Sequence, residues 1–247
     1  MIGMQSRKHY SRAPITEALI DLRVELPDGV TLSTLDLDAG ITADYPMRQE
    51  LMSFQGQMVA SSGVEATASQ NQVGYIFSSS DQTQIFQSRL DGFTFSRFTP
   101  YDGWETFRDE AKRLWSMYQS VTNPKGIVRL ALRYINRLDL PSPLEDLKDY
   151  LRTVPEVSPD LPQGLSGYFM QLQIPQEDLS SQLILNQAII PPSSPDVFSI
   201  LLDIDLVRET DLPNDYAALW HILEQLHSRI DQVFESCITD RIRELIY

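Results

Sequence analysis

Between Gly126 and Pro141 apolar and charged side chains take turns. Successive side chains of a strand point to opposite faces, so residues two apart share a face. Val128, Leu130, Leu132, Leu138 and Leu140 fall on one side with Tyr134 and Asn136 between them, and Arg129, Arg133, Arg137 and Asp139 fall on the other. The pattern predicts a half-buried antiparallel strand with a charged stripe, not a strand covered on both faces. Ile15 to Leu26 repeats it. Ala18, Ile20, Leu22, Val24 and Leu26 make the apolar face, and Glu17, Asp21, Arg23 and Glu25 the charged one, before Pro27-Asp28-Gly29 supplies turn chemistry.

The same alternation predicts strands near 47–59, 71–78, 83–90 and 93–98, with Asp91-Gly92 forming a tight hairpin between the last two. A short helix is expected over Leu32 to Ala43, and the Ser-rich stretch 61–70 reads as a loop. The period then changes to threes and fours. From Gly103 to Val121, Trp104, Phe107, Ala111, Leu114, Trp115 and Tyr118 share one side of an amphipathic helix. After the central strand come a short helix over Leu144–Leu151, an irregular Pro-rich stretch over 153–164, and strands near 165–175, 181–190 and 197–208. Asn214 to Ile246 reads as one long C-terminal helix, with Pro213 at its start.

The chain therefore starts its architecture twice. Each half reads strand, short helix, several strands, amphipathic helix; Arg23-Val-Glu-Leu-Pro27 answers Arg137-Leu-Asp-Leu-Pro141, and Trp104 answers Trp220. The expected fold is α+β, a tandem duplication forming a curved, saddle-like antiparallel sheet with helices on one face. Residues 1–12 would be a flexible arm, 13–125 the first half and 126–247 the second, packed as one domain. Pairing the two equivalent strands about a pseudo-dyad sets Glu17 against Arg137, Asp21 against Arg133 and Glu25 against Arg129. Each such pair contributes up to roughly 1 kcal/mol.

Composition adds an asymmetry. The net charge is −14, and it is uneven: residues 1–138 hold 15 acids against 14 Lys and Arg, residues 139–247 hold 19 against 6. Phosphate backbones select basic surfaces, so the acidic half disfavours nucleic acid and favours a basic protein partner. One cysteine, Cys237, leaves no pair for an intramolecular disulfide and no multi-cysteine zinc site. The first residues lack a signal-peptide pattern, and no apolar run reaches the roughly 18 residues of a membrane helix. A soluble, cytoplasmic protein is expected.

Catalytic patterns are sparse. Dinucleotide and P-loop glycine motifs, Gly-x-Ser-x-Gly and His-Glu-x-x-His are missing. His221 and His227 are spaced too far apart on one helix to aim at one metal with Glu224. Two patterns offer chemistry. Arg23, Arg129, Arg133 and Arg137 line a stripe whose guanidinium forks suit a carboxylate or phosphate ligand. Asp203 and Asp205 share a strand face, an arrangement that holds Mg²⁺ beside substrate phosphates. The bland account is a salt-bridge ladder on the sheet.

Three stretches carry a resemblance: Arg12-Ala-Pro-Ile-Thr-Glu-Ala-Leu-Ile-Asp-Leu-Arg23, Arg133-Tyr-Ile-Asn-Arg-Leu-Asp-Leu-Pro141 and Leu226-His-Ser-Arg-Ile-Asp-Gln-Val-Phe-Glu-Ser-Cys-Ile-Thr-Asp240. With Gly92-Phe-Thr-Phe-Ser96 and Pro100-Tyr-Asp-Gly-Trp104, they resemble a sporadically distributed prokaryotic family of proteins of about this length and unknown function. The resemblance spans nearly the whole chain and supplies no catalytic residues. Its patchy distribution implies mobile or defence-associated genes. The favoured expectation is a non-catalytic interaction protein, antitoxin-like or defence-associated, with a protein partner or as a homodimer and without a cofactor. The alternative is a binder of an anionic small molecule, or an Mg²⁺-dependent phosphate enzyme, built on the arginine stripe.

Overall fold

The computed structural model describes residues 10–37, 41–61, 63–213 and 215–247. Among them nine strands form an antiparallel sheet: β1 (Ile15–Glu25), β2 (Met47–Ser61), β3 (Gly63–Ser78), β4 (Gln84–Arg89), β5 (Gly92–Phe98), β6 (Gly126–Pro141), β7 (Phe169–Gln176), β8 (Ser181–Ile190) and β9 (Val197–Arg208). Their order across the sheet is β2-β3-β4-β5-β1-β6-β9-β8-β7. The helices are α1 (Trp104–Thr122), α2 (Tyr216–Cys237) and α3 (Asp240–Ile246). The chain divides into two compact units. The first is Ile20–Arg97 with Asp102–Leu130; the second is Met1–Leu19, Phe98–Tyr101 and Ala131–Tyr247.

In the first unit an aromatic core locks α1 to its strands. Phe77 stacks on Phe86 with ring centroids 4.7 Å apart, and Tyr45 meets Phe86 edge-on. Phe93 packs on Trp115 and Tyr118, and Phe95 stacks on Phe107. The buried positions of α1 are the apolar stripe expected from its periodicity, with Thr122 added. Such rings each remove roughly 150–250 Å² from water and dominate core energetics. Gly92 turns the β4–β5 hairpin at φ +152, and a Cβ there would lie 2.1 Å from the Leu22 carbonyl oxygen. Only glycine allows the hairpin to sit this close to β1.

In the second unit Ile200, Leu202, Ile204 and Leu206 of β9 are fully buried, and α2 packs on that strand with Leu219, Leu223 and Leu226. The β8 register sets Leu183 and Leu185 beside Leu206 and Ile204, extending the same apolar face. Asn136 is buried in this face and donates to the Leu202 carbonyl at 3.1 Å, which satisfies its amide.

Several expectations change. The C-terminal helix is not continuous: it breaks at Ile238, whose backbone is extended and forms an antiparallel bridge with Leu151. Arg152 N–H donates to the Cys237 carbonyl and Thr239 N–H to the Tyr150 carbonyl. A neighbouring segment thus takes the backbone bonds the helix would have used, at a point with neither Pro nor Gly. The loop expected over 61–70 is strand in its described part. The helix expected over Leu144–Leu151 is a single 3-10 turn at Leu147–Asp149. The start of the expected long helix, Asn214, lies outside the described residues, as do part of the helix expected over Leu32–Ala43 and residues 1–9 of the expected arm. Where described, that arm is tethered: Arg12 N–H donates to the Ile246 carbonyl, and the Tyr10 ring packs against Phe234 and Tyr247. Val128, assigned to the apolar face, is half exposed.

Candidate functional site

The arginine stripe is divided between the units, and each part organises a buried carboxylate. In the first unit the focus is Asp21, on the face of β1 opposite the apolar core. Its Oδ1 accepts from Arg89 Nη2 and from Thr94 Oγ1, both at 2.7 Å. Its Oδ2 accepts from Arg129 Nη1 at 2.6 Å and from Arg23 Nε at 3.3 Å. Arg89 and Arg23 also reach Asp91, at the hairpin turn. Burial by itself would raise the Asp21 carboxyl; the charge of Arg89, its hydrogen bond, that of Thr94 and the charge of Arg23 outweigh it, and the net shift is downward. Arg89 is 8% exposed, and its guanidinium is shifted down by burial, with Asp21 opposing the shift.

In the second unit the focus is Asp203, 1% exposed. Arg133 grips it with both tines of its fork, Nε to Oδ1 and Nη2 to Oδ2, each at 2.7 Å. Asn186 Nδ2 donates to Oδ2 at 2.8 Å, and Gln171 Nε2 donates to Asn186 Oδ1 at 2.8 Å. Asn186 is the register partner of both Asp203 and Gln171, so the row follows from strand pairing. The hydrogen bond to Asp203 is the main cause of an upward shift at Arg133, helped by the charges of Asp203, Asp205 and Glu17. Arg137 closes a separate group, donating to Asp139, Ser199 and the Pro191 carbonyl. Burial raises the Asp139 carboxyl, but hydrogen bonds from Ser193, Ser199 and Arg137 bring it below its ordinary value.

The expected charge register does not hold. Asp21 takes Arg129 rather than Arg133, and Glu25 takes Lys125 rather than Arg129. Lys125 N–H also donates to the Glu25 carbonyl, a backbone bond in step with Asp21 lying opposite Arg129. The shift keeps every side chain on its expected face. Apolar burial selects the face, and exposed ion pairs are too weak to choose among registers that preserve it.

Asp203 and Asp205 do lie on the same face as Arg133, which brings the two candidate groups together. Asp203 meets it with both oxygens already bound. His227 is buried, its Nδ1 3.4 Å from the Tyr134 hydroxyl and its Nε2 3.7 Å from Asp231. Among the described residues no group of three or more His, Cys, Asp or Glu side chains is placed to hold a metal ion. Sequence reasoning missed Arg89, Thr94, Asn186 and Gln171. Arg89 had a signal: an arginine two residues from Asp91 at a hairpin. The amides had none, because their role depends on the β7–β8–β9 register.

No protein-family model, no curated protein and no solved structure matches this chain. Among the described residues no helix is long and apolar enough to cross a membrane.

Proposed function

We propose that this is a non-catalytic interaction protein. One observation carries the reading: the arginines that would receive an anion are already bound to carboxylates of their own chain. Arg23 and Arg129 hold Asp21, Arg133 holds Asp203 and Arg137 holds Asp139. A ligand would have to displace these partners, which is costly at the buried Asp21 and Asp203 carboxylates and cheap at the more exposed Arg137–Asp139 pair. The acidic stretch 139–247 suits a basic protein surface, steering a partner of opposite charge. An antitoxin-like or defence-associated role draws on the sequence resemblance alone. The duplication is part of the same proposal. It is supported by a strand order running outward from β1 as β5-β4-β3-β2 and from β6 as β9-β8-β7.

The test is native mass spectrometry of the untagged protein purified gently from its host. A stoichiometric second polypeptide, or a stable homodimer, is the expected result. An anionic small-molecule adduct, released on denaturation and lost in Arg133→Lys, would replace this reading with the ligand one. That alternative has one observation in its favour, the shared face of Arg133, Asp203 and Asp205. If it held, Mg²⁺ with a phosphate compound would stabilise the protein by about 2.7 kcal/mol at a hundredfold excess over Kd.

A further inference from the structure

The sheet ends on β7, and this edge strand carries no charged side chain. Soluble proteins blunt edge strands with charged side chains, because a row of outward N–H and C=O groups is a template for another chain. The opposite edge strand, β2, carries Arg48 and Glu50. β7 reads Phe-Met-Gln-Leu-Gln-Ile-Pro-Gln, without a single charge, in the half of the chain that carries nearly all the net charge.

Its backbone polarity can be assigned. Ile189 N–H donates to the Tyr168 carbonyl, and β7 pairs antiparallel with β8 from Phe169↔Ala188 onward. Bonded and non-bonded pairs alternate along such a ladder. Met170, Leu172 and Ile174 therefore bond to β8, while Phe169, Gln171 and Gln173 direct their N–H and C=O groups outward. Pro175 falls in the outward set, where its missing N–H costs β8 nothing. The Gln176 amide donates to the outward Pro175 carbonyl, closing the far end of the edge. What stays open is the stretch from Phe169 to Gln173, and the Phe169 side chain beside it is 69% exposed.

We propose that this edge docks an extended peptide segment of a partner protein by strand addition. The segment would be uncharged where it lies along Phe169 to Gln173, as β7 itself is. Main-chain bonds supply the affinity in this mode, and side-chain fit supplies specificity. A peptide suits the site better than a second copy. Five residues of edge fall well short of the roughly 800 Å² per partner that a stable interface buries. Each copy would also bring a net charge of −14 to the contact. The proposal rests on the interaction reading above and names its surface.

The experiment selects a short random-peptide phage library on the full-length protein. Binders are remeasured as free peptides against wild type, Gln173→Pro and Phe169→Lys. Gln173→Pro deletes an outward N–H and none that bonds β8; Phe169→Lys leaves the backbone intact and places a charge on the edge. Enriched β-prone peptides should lose about tenfold or more in affinity in both variants. They should lose a similar factor when alternate peptide amides are N-methylated. Failure to enrich such peptides, or equal binding by the variants, overturns the proposal. So does a wild-type dimer in light scattering that Gln173→Pro dissociates, since a second copy would then be the occupant. A partner that co-purifies equally with Gln173→Pro overturns the edge assignment and leaves the interaction reading standing. An anionic adduct with no polypeptide partner overturns the interaction reading itself.

Discussion

Asp21 and Asp203 are both nearly withdrawn from water, but they are neutralised differently. Asp21 stands among three guanidiniums, those of Arg23, Arg89 and Arg129, with the Thr94 hydroxyl added. Asp203 receives one guanidinium, bidentate, and one amide from Asn186. The first arrangement is redundant, so losing a single cation leaves the carboxylate paired. The second concentrates the whole compensation in Arg133. A buried charge costs several kcal/mol when unpaired, so the two aspartates should differ in tolerance far more than in native geometry.

The sharpest way to break the comparison is Arg133→Ala. It strands Asp203 with one neutral donor and should cost about 3–5 kcal/mol in chemical denaturation, most of it recovered on adding Asp203→Leu. A cost under about 1 kcal/mol would show that water relieves Asp203. Arg89→Ala should come next, at about 2–3 kcal/mol, since it removes the buried arginine of the Asp21 cluster while Arg129 and Arg23 remain. Arg129→Ala should cost only about 1 kcal/mol, because two arginines still hold Asp21. If it costs as much as Arg133→Ala, the redundancy is illusory.

The smallest expected effect is a pH dependence. The folded Asp21 carboxyl lies below its unfolded value of about 3.9, as its partners require. Its stabilisation is therefore complete above about pH 5 and is lost as pH falls through the folded value. Denaturation of Asp21→Asn should be less acid-sensitive than wild type between pH 5 and pH 2, by about the contribution of one carboxylate. Parallel curves for the two proteins would remove Asp21 from the account of acid unfolding.

Much of this was legible in the sequence. The alternation of β6 gave the correct faces for Leu130, Leu132, Leu138 and Leu140 and for Arg129, Arg133 and Arg137, because burial decides which face a residue occupies. β9 was bounded correctly at Val197 and Arg208, where the turn residues around it are explicit. Pairing partners were not legible. Charge complementarity favoured Asp21 with Arg133, whereas the backbone bond from Lys125 to Glu25 is in step with Arg129. The helix break at Ile238 was hidden for a related reason. Apolar periodicity runs through it unchanged, and the interruption comes from Leu151, far away in sequence.

That break gives the chain a built-in reporter. Cys237, the sole thiol, is the last residue of α2, and its carbonyl receives the Arg152 N–H. Burial pushes its ionisation up to about 11, so under native conditions it is both shielded and a poor nucleophile. A thiol reagent reacts only when the packing that covers Cys237, at the joint between α2 and α3, opens. The alkylation rate of the unmodified protein therefore times that opening directly, with no engineered label, and sets it against the rate of global unfolding.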